Sequence, residues 1–206
     1  MNVVRHDAED GSHTYTVDGT PVPSVSAILA HGTEPYRNEA MVAAAERGTR
    51  LHAMILRALH GLEVAPPPAE DEIGVAAWDR FGVWREWWAD TASRGAPLLH
   101  AWLEHTVCGK DSFGNPAWAG TVDAIGMVPG IGPVVVDWKP RYQTRYKHQL
   151  TAYCIAAEQM GLGRDLVPVI VTIPAPPDRA KLRILPRVDD EWMRMVDRYH
   201  YDNGEI

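Results

Sequence analysis

The spacing of apolar and polar residues predicts a chain of both helices and strands. Apolar residues that recur every three or four positions are typical of amphipathic helices. Shorter runs rich in β-branched and aromatic residues, bounded by Gly, Pro or Asp, indicate strands. The predicted helices are Glu39 to His60, Glu72 to Arg94, His148 to Gln159 and Glu191 to Tyr199. The predicted strands are Leu98 to Val107, Trp118 to Ile125, Pro133 to Trp138, Val167 to Ile173 and Lys181 to Val188.

The N-terminal region predicts a hairpin and a short helix. His13 to Val17 alternates in polarity, and the Asp18-Gly19 pair that follows is typical of a tight turn. Ser24 is placed to cap a helix that begins in PSVSAIL. In the closing helix, Asp189 or Asp190 is the expected cap.

Charged residues end a strand that should otherwise be buried. Val134 to Val136 is bounded by turn residues, so this strand is predicted to be covered on both faces, yet it ends in Asp137-Trp138-Lys139. Because strand side chains alternate, Asp137 and Lys139 project from one face and Trp138 from the other. The register of the predicted hairpin can bring Asp123 to the same place as Asp137.

Two carboxylates and an ammonium in a partly desolvated pocket cost free energy unless something compensates them. A divalent cation would do so, and carboxylate oxygens suit Mg²⁺ or Mn²⁺. Such ions bind phosphate and lower the pKa of a bound water, while Lys139 can orient or deprotonate that water or stabilise charge on the phosphate. The pattern therefore favours metal-dependent phosphodiester hydrolysis. The alternative is a solvated Asp137–Lys139 pair that contributes little.

Two further residues are candidates for the same site. Gly48 lies inside a predicted helix, where glycine costs about 1 kcal/mol against alanine, so we expect another backbone to approach it closely. His52 is one turn further along the same face and is a candidate metal ligand, the alternative being an ordinary surface or core histidine. Glu104, on a predicted neighbouring strand, is a candidate carboxylate for a second metal ion or for supporting the site.

A basic and aromatic stretch follows Pro140. It leads into the helix on which Gln149 and Tyr153 share a face, an arrangement suited to gripping a phosphate backbone. The alternative is that Tyr153 packs in the core and Gln149 is merely exposed. The candidate DNA-binding cations are Arg141, Arg145 and Lys147. An aromatic face on the helix Glu72 to Arg94 is predicted to be core rather than a surface for base stacking.

Composition narrows the class of protein. The 206 residues fit a single domain, 1–206, with 46% hydrophobic and 23% charged residues. A net charge of −7 argues against non-specific coating of nucleic acid, although basic residues on one groove still permit DNA binding. No run is long enough to cross a membrane and no signal peptide is evident, so we expect a cytoplasmic protein. Cys108 and Cys154 lack zinc-site spacing and are expected to be buried thiols.

Taken in order, these elements resemble the PD-(D/E)XK nuclease superfamily, in particular its RecB-like and phage-type exonuclease branch. Each element is weak alone, and the ordered set, from about Val22 to Val171, is what carries the resemblance. The matching elements are Val22 to Ser26, Gly48 to His52, Glu104, Gly120 to Asp123, Val136 to Lys139, and Gln149 with Tyr153.

The resemblance implies a fold and a role for each residue. The fold would be α/β with a restriction-endonuclease-like core, a mixed central sheet flanked by helices, and a metal site at the edge of the sheet. Mg²⁺ or Mn²⁺ would be held by His52, Asp123, Asp137 and the backbone carbonyl of Trp138. Lys139 would be the general base or position the water. Glu104 would be a further catalytic carboxylate, and Gln149 and Tyr153 would contact DNA or support the site.

The implied activity is that of a Mg²⁺- or Mn²⁺-dependent DNA exonuclease in phage or bacterial recombination or end processing. A structure-selective or restriction-like endonuclease on the same fold, and a non-catalytic DNA-end-binding subunit, are the alternatives. We expect no iron–sulfur cluster, because the four cysteines of the cluster-bearing members are missing, and no motor, because there is no Walker A sequence. DNA is the expected partner, together with a single-strand annealing or single-strand-binding protein, in a bacterium or a phage-infected cell; assembly into a homo-oligomer is left open.

Overall fold

The computed structural model describes residues 1–8, 13–33, 38–95 and 98–204. Strands and helices occur in groups along these residues, in the order β-β-β-α-α-α-β-β-β-α-β-β-α. The strands are β1 (Val3–Asp7), β2 (His13–Val17), β3 (Thr20–Val22), β4 (Leu99–Lys110), β5 (Pro116–Val128), β6 (Gly132–Lys139), β7 (Val167–Thr172) and β8 (Lys181–Ile184). The helices are α1 (Val25–Ala30), α2 (Glu39–Leu59), α3 (Glu72–Ser93), α4 (Tyr146–Gln159) and α5 (Asp189–Asp202).

The protein is a mixed α/β structure built on a five-stranded sheet of order β4-β5-β6-β7-β8. Strands β4, β5 and β6 form an antiparallel meander. Strand β7 is parallel to β6, and α4 supplies the long crossover that a parallel pair requires. Strand β8 is antiparallel to β7. A separate three-stranded sheet, β1-β2-β3, is formed by the N-terminal region.

Two apolar cores cover the two faces of the large sheet. Val135 packs with residues of α1, α4 and α5 on one face. Val134, Val136 and Trp138 pack with residues of α2 and α3 on the other. This division follows from the alternation of side chains along β6 and confirms that its valine run is covered on both sides. It also confirms that Trp138 points away from the face that carries Asp137.

The aromatic residues of α3 belong to the core, as predicted. Phe81 and Trp84 are fully buried and stack with ring centroids 5.6 Å apart. Trp78, Trp87 and Trp88 are partly buried and pack against the same cluster. No helix of the described residues is both long enough and apolar enough to cross a membrane.

The element boundaries differ from the prediction in a few places. Ser24 caps α1, accepting a hydrogen bond from the Ala27 amide, as expected. The prediction for α5 is wrong: Val188 is the cap, and Asp189 and Asp190 lie inside the first turn. Strand β8 ends at Ile184, so it is shorter than expected. Strand β1 was not predicted, because its largely exposed residues have no apolar face to reveal it.

Strands β5 and β6 separate in the middle of the sheet. Their last pair is Ala124 with Val136, and beyond it β5 continues beside β4 while β6 continues beside β7. We call this divergence the fork. Asp123 and Asp137 are the next residues on either side of it.

Other segments take the place of β6 beside β5. The Ala119 amide donates to the Pro23 carbonyl, and Ser24 forms a parallel bridge with Ala119. The ring of Tyr153, from α4, packs against Gly120, where a Cβ atom would lie 2.5 Å from Tyr153 Cε1. Tyr153 therefore wedges the fork, and Gly120 is the residue that admits it.

We expect Gly120→Ala to destabilise the protein by about 2 kcal/mol, because the methyl group must displace a buried aromatic ring. Urea denaturation followed by circular dichroism measures the change. The matched control is Gly82→Ala in α3, where a Cβ meets nothing within 4 Å among the described residues. A Gly120→Ala protein as stable as the control would contradict the role given to this contact.

Candidate functional site

Asp123 at the fork is tied to the backbone of the neighbouring strand. The amide of Trp138, on β6, donates a hydrogen bond of 2.8 Å to Asp123 Oδ2 on β5. In a continuous sheet the Trp138 amide would donate to a backbone carbonyl of β5, and here it donates to the Asp123 side chain instead. The register of the hairpin therefore brings Asp123 beside the Asp137-Trp138-Lys139 segment, as the sequence predicts.

His52 reaches the fork from α2. Its Nδ1 lies 3.3 Å from Asp123 Oδ1, and its Nε2 lies 2.7 Å from the carbonyl oxygen of Trp138. A carbonyl only accepts, so Nε2 carries a proton, and Nδ1 beside a carboxylate is then favoured as N–H as well. Burial opposes this charge, but Asp123 outweighs burial and raises the pKa of His52. The imidazole therefore bridges Asp123 and the backbone of Trp138.

Asp137 and Lys139 form a buried ion pair. The Nζ of Lys139 lies 2.9 Å from Asp137 Oδ2, and the two side chains are 19% and 3% exposed. This burial excludes the solvated pair considered as the alternative. The contact lacks hydrogen-bond geometry, and Asp137 Oδ2 has no hydrogen-bond partner among the described residues. The Lys139 ammonium is thus the charged partner of this buried oxygen, whose burial still costs free energy because no further donor of the described chain reaches it.

Burial and neighbouring charges shift the pKa values of Asp137, Asp123 and Lys139 in different ways. Burial raises the pKa of Asp137 from 3.8 to about 6, an effect that Lys139 only partly offsets. Burial also opposes ionisation of Asp123, but His52 and Lys139 outweigh it and lower the pKa of Asp123. Lys139 loses hydration, yet Asp137 and Asp123 raise its pKa. The pocket therefore holds Lys139 as an ammonium and Asp123 as a carboxylate at neutral pH.

Glu104 lies at the rim of the same pocket. It lines a small cavity together with His52, Asp123 and Trp138. The pairing of β4 with β5 skips Glu104 and Asp123, between the pairs of Leu103 with Ala124 and of His105 with Val122. The backbone of Glu104 has a φ of 45°, a conformation that is sparsely populated by residues other than glycine. Its carboxylate is exposed and therefore able to turn towards the pocket.

Gln149 and Tyr153 support the site from α4. Gln149 is half-buried and its Nε2 donates to the Tyr153 hydroxyl at 3.1 Å. Tyr153 is only 5% exposed, and burial raises the pKa of its hydroxyl. Of the roles predicted for Tyr153, support of the site fits this position, and the alternative that it packs in the core is correct.

The structure places the predicted DNA-binding cations in two different environments. Arg141 and Arg145 are exposed on the segment between β6 and α4, and Arg145 lies 5.9 Å from the centre of the Tyr146 ring. Lys147 turns elsewhere, because its Nζ lies 2.9 Å from Glu191 Oε2 on α5. Lys147 therefore forms an ion pair that links α4 to α5.

The expectation for Gly48 is wrong. A Cβ atom at this position would meet no described atom within 4 Å, so no described backbone approaches it closely. Close approaches occur at other glycines, among them Gly120, described above, Gly109, where a Cβ would lie 2.0 Å from the Trp118 ring, and Gly126, where it would lie 2.5 Å from the Leu99 carbonyl oxygen. The sequence does not indicate these packing contacts, because a single glycine in a strand does not reveal which distant group will pack against it.

Three cations near the site were not predicted, whereas the aromatic residues Tyr142 and Tyr146 belong to the predicted basic and aromatic stretch. The Tyr146 ring centre lies 5.4 Å from Lys139 Nζ. Arg183 on β8 lies 5.7 Å from the centre of the Tyr142 ring. Arg80 on α3 donates to the Ile173 carbonyl at 2.8 Å, and Arg47 of α2 is close enough to act on its charge. Their sequence positions carry no signal, because only the packing of α2, α3 and β8 brings them to this end of the sheet.

The donor atoms at the fork suit a hard divalent cation in type. They are carboxylate oxygens, one backbone carbonyl and an imidazole nitrogen, and Asp137 Oδ2 has unused capacity. As the side chains stand, no group of three His, Cys, Asp or Glu residues in the described chain has the spacing of a metal site. His52 would have to give up its hydrogen bond to Trp138 or its contact with Asp123 to offer a lone pair. Both cysteines are buried thiols, as predicted, and take no part.

The similarity of this chain to known proteins is confined to distant structural likeness. No protein-family model matches the sequence. No curated protein matches it either. Chains of solved structures do match, 18 in all. One is the crystal structure of SSO0001, which is 14% identical over 84% of this chain and 81% of that one, with a TM-score of 0.36; a likeness of this degree carries no argument here.

The raised pKa of Asp137 predicts a pH-dependent effect of Asp137→Asn on stability. Because the folded pKa lies above the unfolded one, the contribution of Asp137 is fully present below pH 3.8 and is lost as the pH rises through about 6. The stability of Asp137→Asn relative to wild type should thus increase between pH 4 and pH 7, by about 2 kcal/mol.

Urea denaturation at several pH values in the presence of a chelator tests this expectation. Asp178→Asn, on an exposed loop, is the control for loss of one negative charge. A difference between Asp137→Asn and wild type that is the same at pH 4 and pH 7 would show that Asp137 ionises as it does in water.

Proposed function

We propose that this protein is a Mg²⁺- or Mn²⁺-dependent DNA exonuclease with a restriction-endonuclease-like core of the PD-(D/E)XK type. One observation carries the proposal: two aspartates, a lysine and a histidine converge at the fork, and the buried Asp137 carboxylate is held there in an ion pair with Lys139. A solvated surface pair would not be built in this way. The ordered motifs of the sequence and the mixed five-stranded sheet support the same proposal.

The residues of the fork divide the work of phosphodiester hydrolysis. Asp123, Asp137 and the Trp138 carbonyl would hold the cation, with His52 beside them. When bound, the cation polarises the phosphate and lowers the pKa of a water. Lys139 is held as an ammonium by Asp137, so we assign it to orienting the water and to stabilising charge on the phosphate, rather than to taking a proton. Glu104 is placed to contribute a further carboxylate from the rim.

The surroundings of the fork favour a polynucleotide over a small phosphodiester. The chain carries a net charge of −7, yet cations collect at this end of the sheet. Tyr142 is 41% exposed beside Arg183, an arrangement suited to stacking on a base. We define the basic rim as Arg141, Arg145, Lys181 and Arg183, which are all exposed. Phosphate contacts of this kind bind DNA without reading its sequence.

Linear DNA labelled at either end should be degraded by the wild-type protein with Mg²⁺ or Mn²⁺ and left intact with chelator. Asp123→Asn, Asp137→Asn and Lys139→Ala should each lower the rate by about a hundredfold or more, because each removes a charge that acts on the reacting phosphate. The controls are Asp178→Asn and Lys110→Ala, which lie outside the fork and should match wild type. Gel electrophoresis of timed samples provides the rates.

The substrates decide between the proposal and its alternatives. Covalently closed circles that are cut as fast as linear DNA would identify an endonuclease. Wild-type protein that binds DNA ends without cutting them, with either metal ion, would identify a binding subunit. Activity that persists in Lys139→Ala would remove the role assigned to that residue.

Binding of the cation should also be visible without turnover. Mn²⁺ should raise the Tm of the wild-type protein by several degrees at saturating concentration, since a ligand that binds only the folded state stabilises it. Asp137→Asn should lose most of this shift, whereas Asp178→Asn should keep it. Differential scanning calorimetry with and without Mn²⁺ provides the measurement, and equal shifts in all three proteins would place the cation elsewhere.

A further inference from the structure

Gly48 lies on the side of α2 that faces the sheet. It is one turn before His52, and the buried Leu51 and Ile55 follow it on the same side at helical spacing. Leu51 and Ile55 are each 1% exposed, so the helix is packed tightly from there onwards. At Gly48 itself a Cβ would meet no described atom within 4 Å. The inner side of α2 therefore passes over open space next to the candidate site.

The fold of the described chain gives no reason for a glycine at this position. Glycine weakens a helix interior relative to alanine. Gly109 and Gly120 are required by close packing, because a Cβ there would collide with an aromatic ring. Gly48 has neither such a neighbour nor a positive φ. A residue that costs stability and contacts no described side chain or backbone with its Cα face leaves space that a bound molecule could use.

The charges next to this space favour an anion. Arg47 adjoins Gly48 and acts on the charge of Arg80, whose guanidinium is anchored to the carbonyl of Ile173. Ile173 in turn donates its amide to the carbonyl of Lys139 at 2.7 Å, so Arg80 is linked to the strand that carries the candidate site. Within the described residues, neither Arg47 nor Arg80 has an acidic partner. Two guanidinium groups that influence each other and have no acidic partner in the described chain are suited to binding a phosphate.

We propose, building on the nuclease function above, that Gly48 is a specificity-determining residue at which the sugar–phosphate backbone of the DNA strand lies against α2. A phosphate next to the scissile one sits between Gly48 and the Arg47–Arg80 pair. The missing side chain lets the strand approach the helix while the scissile phosphate reaches the fork. Contacts of this kind select a polynucleotide over a small phosphodiester and are indifferent to base sequence.

Gly48→Ala and Gly82→Ala form a matched pair for the test. Both glycines are half-buried in helix interiors, and at both a Cβ would enter open space among the described residues. Each substitution should raise the Tm by about 2 °C, since alanine favours the helix and restricts the unfolded chain. Gly48→Ala should lower kcat/KM for a labelled oligonucleotide by about tenfold or more, because the strand is displaced from its reacting position. Gly82→Ala should leave it unchanged.

We call the proposed contact of the DNA backbone with Gly48 the strand seat. A small substrate distinguishes loss of this contact from damage to the fork. Bis-p-nitrophenyl phosphate has a single phosphodiester and no flanking phosphates, so Gly48→Ala should hydrolyse it at the wild-type rate with Mn²⁺. Arg47→Gln should reduce the salt dependence of oligonucleotide binding by about one ion, as expected for loss of one phosphate contact.

The outcomes distinguish this inference from the function on which it rests. If wild-type protein degrades DNA and Gly48→Ala does so as well as Gly82→Ala, the seat is disproved and the nuclease function stands. If Gly48→Ala loses both substrates equally, it has damaged the fork and the seat is again disproved. If wild-type protein neither cuts nor binds DNA, the proposed function fails and the seat fails with it. A more stable Gly48→Ala protein that loses only the oligonucleotide activity supports the inference.

Discussion

The parting of β5 from β6 after the pair of Ala124 and Val136 is the constraint on which the rest of the structure depends. Strands that separate inside a protein leave backbone groups without partners, and each must be satisfied in another way. Asp123 accepts from the amide of Trp138, and the carbonyl of Pro23 accepts from Ala119. The polar groups that gather at the fork are therefore partly a structural necessity, and the candidate chemistry uses what the backbone already requires.

The fork also brings charged side chains into a buried region, so the residues of the candidate site lower the stability of the fold. Asp137 retains an oxygen with no hydrogen-bond partner in the described chain, and burial makes its ionisation unfavourable. Lys139 relieves part of this cost through the ion pair, and His52 relieves part of the cost at Asp123. A fold selected for stability alone would replace such groups with apolar ones. Their presence is best understood through the ligand that they would bind.

Much of the fold and part of the site followed from the sequence, because both depend on local patterns. The period of apolar residues located α2, α3, α4 and the strands of the large sheet, and the hairpin register placed Asp123 beside Asp137. The fork, its wedge and the second partner of His52 could not be predicted, since each joins segments far apart in the chain. Gly48 is a further example: a glycine inside a helix indicated a close contact, but the structure shows that a Cβ there would meet no described atom within 4 Å.

The wedge at Tyr153 has a consequence for the order in which the protein is made. Both aspartates and the lysine leave the ribosome before α4, but the ring that holds their strands apart arrives later. A nascent chain that stops short of this helix has the acidic residues without the aromatic ring that packs beside the fork. Domains mature as their distant contacts close. The final geometry of the fork is thus coupled to the synthesis and docking of α4, although the charged residues of the fork precede that helix in the chain.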